Sequence, residues 1–106
     1  MCELDLNLET IKNIVDQYEV KFSHINVKAR IYYDKNIIKV SPAYNDLEIS
    51  LMHELVHHQI DNVLCLDNRY SETEMDRIAE GILIDNEVKD YLKDILTESA
   101  DKGIIA

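Results

Sequence analysis

The sequence predicts a mainly helical α+β fold in a single domain, and three observations lead there. Apolar residues recur at helical spacing over most of the chain, one short stretch switches to period two, and 106 residues suffice for one core only. With 46% apolar and 30% charged residues but only two glycines and one proline, the composition is that of a compact chain, not of a linker or a disordered tail.

The first element is read from Leu4, Leu8, Ile11, Val15, Tyr18 and Phe22, spaced 4, 3, 4, 3 and 4 apart. That spacing predicts one amphipathic helix ending near Ser23-His24. Its stripe is expected to pack on the core, because no further heptads continue it toward a coiled-coil partner. From Ile25 the period becomes two, with Ile25, Val27, Ala29, Ile31 and Tyr33 on one side and Asn26, Lys28, Arg30 and Tyr32 on the other, which predicts a half-buried strand. Asp34-Lys35-Asn36 supplies turn residues, and Ile37 to Ser41 follows as the second strand of a hairpin that Pro42 closes. Two strands alone are marginal, so the hairpin must pack on helices and can recruit a third strand.

A helix capped by Asn45 or Asp46 is predicted from Leu47 to about Asp61. Ile49, Met52, Val56 and Ile60 share one side of it, and Leu47, Leu51 and Leu55 share another. Between them runs a polar stripe of Asp46, Ser50, His53, Glu54, His57 and Asp61, which a simple surface helix has no reason to place between two apolar flanks. A slot is expected there. After a connection containing Asp67 and Asn68, Ser71 with Glu74 has the form of a capping box and starts the next helix. Its buried face is Met75, Ile78, Ala79, Ile82 and Leu83, and Val88, Tyr91, Leu92, Ile95 and Leu96 continue the periodicity past a break at Asp85-Asn86.

Charge narrows the function. Twenty-one acidic against 11 basic residues give −10, which repels phosphate backbones, and no basic run exceeds Lys28-Ala29-Arg30. Nucleic acid and anionic membrane surfaces are therefore excluded as expected ligands, leaving peptide, cation or protein partners. Cys2 and Cys65 are too few for a disulfide framework, and Glu3, Asp5 and Glu9 stand where a secretory signal needs basic and then apolar residues. A cytoplasmic protein is the expectation.

The chemistry lies in His53-Glu54-Leu55-Val56-His57, the HExxH pattern. On a helix, residues i and i+4 stack on one face, so both imidazoles reach one cation while Glu54 leans into the same slot. A zinc site that does chemistry takes three protein ligands and leaves the fourth position to water. His24 lies far upstream and His58 points about 100° away from the metal face, so the third ligand is sought among Glu72, Glu74 and Glu80 of the next helix. Glu72 is favoured as the one nearest the apolar stripe; Glu74 competes with its capping role, and Glu80 points almost opposite, to solvent. Asp76, one turn on from Glu72, can accept a hydrogen bond from a ligating imidazole.

At these residues the chain resembles the gluzincin metallopeptidases. Glu72-Thr73-Glu74-Met75-Asp76-Arg77-Ile78-Ala79 is similar to the E-x-x-A-D-x-x-A segment of the integral-membrane prenyl-protein endopeptidases and to the E-x-E-A-N-x-F-A segment of zincins that act on phage repressors, with Met75 standing where Ala is usual. Length and element order resemble those of the short soluble minigluzincins. The resemblance implies Zn2+ held by His53, His57 and Glu72, with Glu54 as general base for a water attacking a peptide carbonyl. It leaves the oxyanion donor open among Tyr70, His58, Arg77 and Tyr44. It further implies that the Ile37 to Ser41 strand or its hairpin partner pairs with an extended substrate.

The reading is a minimal zinc-dependent metallopeptidase of narrow substrate range. The rival is a zincin-shaped regulatory or binding module whose metal is structural, against which Glu54 counts, because a structural site has no use for a base. The apolar Ile104-Ile105 after Ala100-Asp101-Lys102-Gly103 suggests self-restraint, either by this tail lying in the cleft or against a hairpin edge, or by formation of a homo-oligomer.

Overall fold

The computed structural model describes residues 6–60 and 71–105, with backbone only at 104 and 105. Cys2, Leu4, Asp61, Cys65, Asp67, Asn68 and Tyr70 lie outside the described residues. Among those described, four helices and four short strands form a mainly helical α+β fold, with the sheet in the order β2-β3-β1-β4. No helix among them is long and apolar enough to cross a membrane.

Helix α1 spans Leu8–Val15 and starts at Asn7, whose side chain accepts the Thr10 N–H at 2.9 Å. It buries Ile11, Ile14 and Val15 and then stops. The single helix expected to reach Ser23 is thus two elements, because the chain turns at Asp16-Gln17 and returns as β1, Glu19–Ser23. The reason lies in the numbers of the apolar stripe. Tyr18 and Phe22 are four apart, a spacing that satisfies a helical turn and a strand alike. Val20 between them breaks the tie. A helix continuing from Leu8 would leave Val20 off its apolar stripe, whereas a strand buries Val20 and Phe22 together and turns Glu19 and Lys21 outward.

The hairpin forms as expected, in shorter pieces. β2 is Ala29–Tyr32 and β3 is Ile37–Val40, antiparallel, with Ala29 opposite Val40 and Tyr32 opposite Ile37. Asn36 takes the left-handed conformation (φ 55°) that ends the turn, a place where Asn is tolerated. The strand predicted from Ile25 begins only at Ala29 because pairing with the β3 side runs out just beyond Val40: the Ser41 N–H gives the last bond, to the Lys28 carbonyl at 2.9 Å, and Pro42 then has no N–H to give. On its other side β3 pairs in parallel with β1. β4, Ile104–Ile105, extends the sheet on the far side of β1, also in parallel.

Helix α2, Leu47–His58, lies across β2 and β3 and touches all three other helices. Leu51, Met52, Leu55 and Val56 are fully buried, which confirms the two apolar flanks. Asp46 precedes the helix without a side-chain cap, while the Ser50 hydroxyl donates back to the Asp46 carbonyl at 3.0 Å. Helix α3, Glu72–Ile82, is capped by Ser71, whose hydroxyl accepts the Glu74 N–H at 3.1 Å. After the predicted break, Asp85 accepts the Glu87 N–H at 2.9 Å and opens α4, Asn86–Asp101. α4 packs Val88, Leu92 and Leu96 into the core and is tied to β1 by the buried Ser99 hydroxyl, which donates to the Val20 carbonyl at 2.8 Å.

Gly103, at φ 86°, reverses the chain from α4 into β4. The tail therefore lies neither in a cleft nor on the hairpin edge; it occupies the opposite edge of its own sheet, with β1 and β3 between it and β2. A chain ending at Lys102 should melt several degrees lower, having lost two ladder residues, yet bind metal with unchanged affinity. Thermal unfolding and a chelator competition measure the two effects, and altered metal affinity would place the tail closer to the site than the sheet order does.

Candidate metal centre

The polar stripe of α2 opens into a cleft of about 510 Å³. Its floor is Ser50, His53, Glu54 and His57 of α2, one wall is the stretch Val27 to Arg30 leading into β2, and the other is Glu72, Asp76 and Glu80 of α3. These three acids are successive i+4 neighbours, one above the other on the side of α3 that flanks its buried face. Glu80 is exposed, as expected, and stays out of the ligand cluster, but it also stands at the cleft rim, because the acids of α3 line a direction beside its apolar stripe.

His53, His57 and Glu72 converge so closely that they can hold a metal ion: one ligand atom from each lies within 4.8 Å of the others. His53 Nε2 is 3.0 Å from His57 Nε2 and 2.6 Å from Glu72 Oε2, and His57 Nε2 is 3.4 Å from that oxygen. Ligand atoms about 2.0 to 2.1 Å from one tetrahedral ion stand about 3.3 Å apart, so the triangle fits once Glu72 backs away from His53 by about 0.7 Å and the two imidazoles part by about 0.3 Å. Glu72 is 74% exposed, so it reaches the site from the rim and not from the interior. Glu74 is engaged at the cap of α3, where its carboxylate accepts the Ser71 hydroxyl at 3.3 Å, and does not join the cluster.

Asp76 occupies the place anticipated for it. Its carboxylate lies 2.6 Å from His53 Nδ1, where it can accept that nitrogen's proton and hold the ring with Nε2 toward the cleft.

Glu54 is 8% exposed. Burial pushes its carboxyl above the ordinary carboxylate range, and Glu72 adds to that; His57, His53 and a hydrogen bond from the Ile31 backbone N–H pull the other way. That last bond was not foreseeable from spacing. It brings the HExxH helix against the hairpin edge.

Of the donors considered for an oxyanion, Tyr70 lies outside the described residues. His58 is turned away, as its position on the helix predicted: it is 5% exposed and its Nδ1 meets the Tyr18 hydroxyl at 2.7 Å. Tyr44 and Arg77 do not line the cleft, while Lys28 and Arg30 do. The alternation of the strand had marked Lys28 and Arg30 as outward residues. It carried no sign that their strand would be the edge beside the site.

Glu72→Ala should weaken metal binding by more than a hundredfold and Asp76→Ala by about 10- to 100-fold, with Glu74→Ala unchanged, as read by competition with a chelating dye. Loss of metal from Glu74→Ala alone would reassign the third ligand. For Glu54 the sign follows from its raised folded-state pKa: the folded chain holds the proton more tightly than the unfolded chain, so stability falls as pH rises from the ordinary carboxylate value through the raised one. Metal-free Glu54→Gln should therefore melt above metal-free wild type at neutral pH, the gap closing below about pH 4. A variant that melts at or below wild type at neutral pH would show that the desolvation is compensated.

The chain matches no protein-family model, no curated protein and no solved structure, so the residues and their geometry carry the functional argument alone.

Proposed function

We propose that the protein is a small zinc-dependent metallopeptidase of the gluzincin kind. The observation that carries the reading is the convergence of His53, His57 and Glu72, backed by Asp76, with a buried carboxylate held beside them that is not itself in the ligand group. Two imidazole nitrogens and one carboxylate oxygen suit zinc, and three protein ligands leave room for exchangeable ones. Bound there, zinc supplies Lewis acidity, which brings the pKa of a water to about 7 and polarises a carbonyl oxygen.

The remaining work falls to the chain. Glu54 takes the proton of the attacking water and then delivers it to the leaving amine; its burial favours this, since a base of raised pKa holds a proton long enough to pass it on. The Ile31 N–H keeps the carboxylate pointed at the cleft through both transfers. Asp76 holds His53 in the ligating tautomer.

Of the two strands considered for substrate pairing, β3 is ruled out because β2 and β1 occupy both its sides. Among the described residues β2 has a free edge, and its hydrogen bonds to β3 set the parity of that edge. The Lys28 carbonyl bonds to β3, so Lys28, Arg30 and Tyr32 turn their backbone groups inward to the ladder, and Ala29 and Ile31 turn theirs outward. With the Ile31 N–H given to Glu54, the Ala29 N–H and the Ala29 and Ile31 carbonyls are left to pair with an extended peptide.

Zinc-loaded Glu54→Gln should keep one metal per chain and lose cleavage of a diverse peptide mixture by about a thousandfold. Elemental analysis and mass spectrometry of the digest give the two results. Undiminished cleavage by the variant would remove Glu54 as base.

A further inference from the structure

The molecule carries −10 overall, yet four of its 11 basic residues meet on the outer face of the hairpin and its neighbouring strand. Lys39 of β3 stands directly opposite Lys21 of β1 on one side and directly opposite Arg30 of β2 on the other. Val20, Phe22, Ile38 and Val40 point inward, so this row of three cations crosses the solvent face of the sheet. Lys28, two residues before Arg30, extends it along the edge. Like charges placed opposite each other across strands destabilise a sheet, and this row repeats the arrangement twice. Glu19 pairs with Lys21 at 3.5 Å, but among the described residues no carboxylate pairs with Lys28, Arg30 or Lys39. Lys28 and Lys39 lie over the rings of Tyr44 and Tyr32, which neutralises neither charge.

The row ends at the cleft, since Lys28 and Arg30 line it. An extended chain added to the free edge of β2 sends alternate side chains to the outer face, where they stand beside Lys28 and Arg30 at a matching two-residue period. The intervening side chains face the opposite wall, where Glu72, Asp76, Glu80 and Asp46 repel negative charge. The two walls thus ask for different things from successive residues.

We propose that the cleft selects extended peptides bearing carboxylates at alternate positions, with Lys28 and Arg30 as the residues that read them. This assignment rests on the peptide-cleaving reading of the site and adds its substrate class. A polyanion such as nucleic acid also answers to a row of cations, but it lacks amide groups for the unpaired Ala29 and Ile31 backbone and would meet the acidic α3 wall.

The test measures binding, so that it does not depend on turnover. Zinc-loaded Glu54→Gln protein is titrated with labelled decapeptides carrying Glu at every second position and with their Gln and Lys counterparts. The same titrations are run on chains that also carry Arg30→Gln, or Lys28→Glu with Arg30→Glu, and a single-stranded oligonucleotide serves as competitor. Both cations are exposed, and matching circular dichroism spectra would confirm that the variants fold. The Glu peptides should bind about fivefold tighter than the Gln peptides and about twentyfold tighter than the Lys peptides, with the order reversed by the double charge reversal. Equal affinities, no binding by any peptide, or stoichiometric displacement by the oligonucleotide would each overturn the proposal. Digestion of the same peptides by wild-type protein separates the two claims: selective binding without cleavage retires the peptidase reading and keeps the recognition, and cleavage without acid preference does the opposite.

Discussion

The site depends first on the α-helical period acting on a helix that is buried on both flanks. His53 and His57 project from one face because they are a turn apart, but that face is usable only because Leu51, Met52, Leu55 and Val56 pull the rest of α2 into the core and fix its rotation. A helix free to turn by 100° would point His58 where His57 stands. His58 is instead closed off by the Tyr18 hydroxyl, so the rotation of α2 is set from two directions, by packing below and by a buried polar contact behind.

From that one orientation the neighbouring elements take their roles. α3 must approach closely enough for Glu72 and Asp76 to grip opposite nitrogens of the same imidazole, and the two acids can do so because they are themselves one turn apart. The hairpin must place its edge where the Ile31 N–H meets Glu54. The result is a carboxylate kept ready at a cost to stability, in a chain whose small core leaves little to spare. A cation held by His53, His57 and Glu72 would offset the cost and so link metal binding to folding.

Much of this was legible in the sequence, for a specific reason. HExxH, the capping box at Ser71 and the Glu72–Asp76 spacing are all relations within one helix, where position in sequence dictates position in space. The relations that were misread span elements. The helical stripe ran on through Tyr18 and Phe22 because a spacing of four is even and serves both periods; what decided was that Val20 had a sheet to enter, and the neighbours of β1 come from residues 37–40 and from the tail. The tail looked like an inhibitor for the same reason. Its apolar character was plain, but the sheet edge that would receive it was not. Glu80 is exposed as expected, but its place at the cleft rim was not legible, because the apolar stripe of α3 shows where the core lies and says nothing of a cleft beside it.

The sheet shows how unevenly so small a fold divides its surface. One edge is occupied by β4, while the other is left open among the described residues, beside the candidate metal ligands, although an unpaired edge invites unwanted association. Two features blunt that hazard on β2: it is only four residues long, and Lys28 and Arg30 repel a second β2 edge that brings the same charges. The cations that would oppose pairing of two β2 edges are the ones that would draw in an acidic strand. On the proposed reading the same two residues would repel a second copy and attract a ligand of opposite charge, so their placement on this strand, in a chain short of basic residues, would bear on function more than on fold.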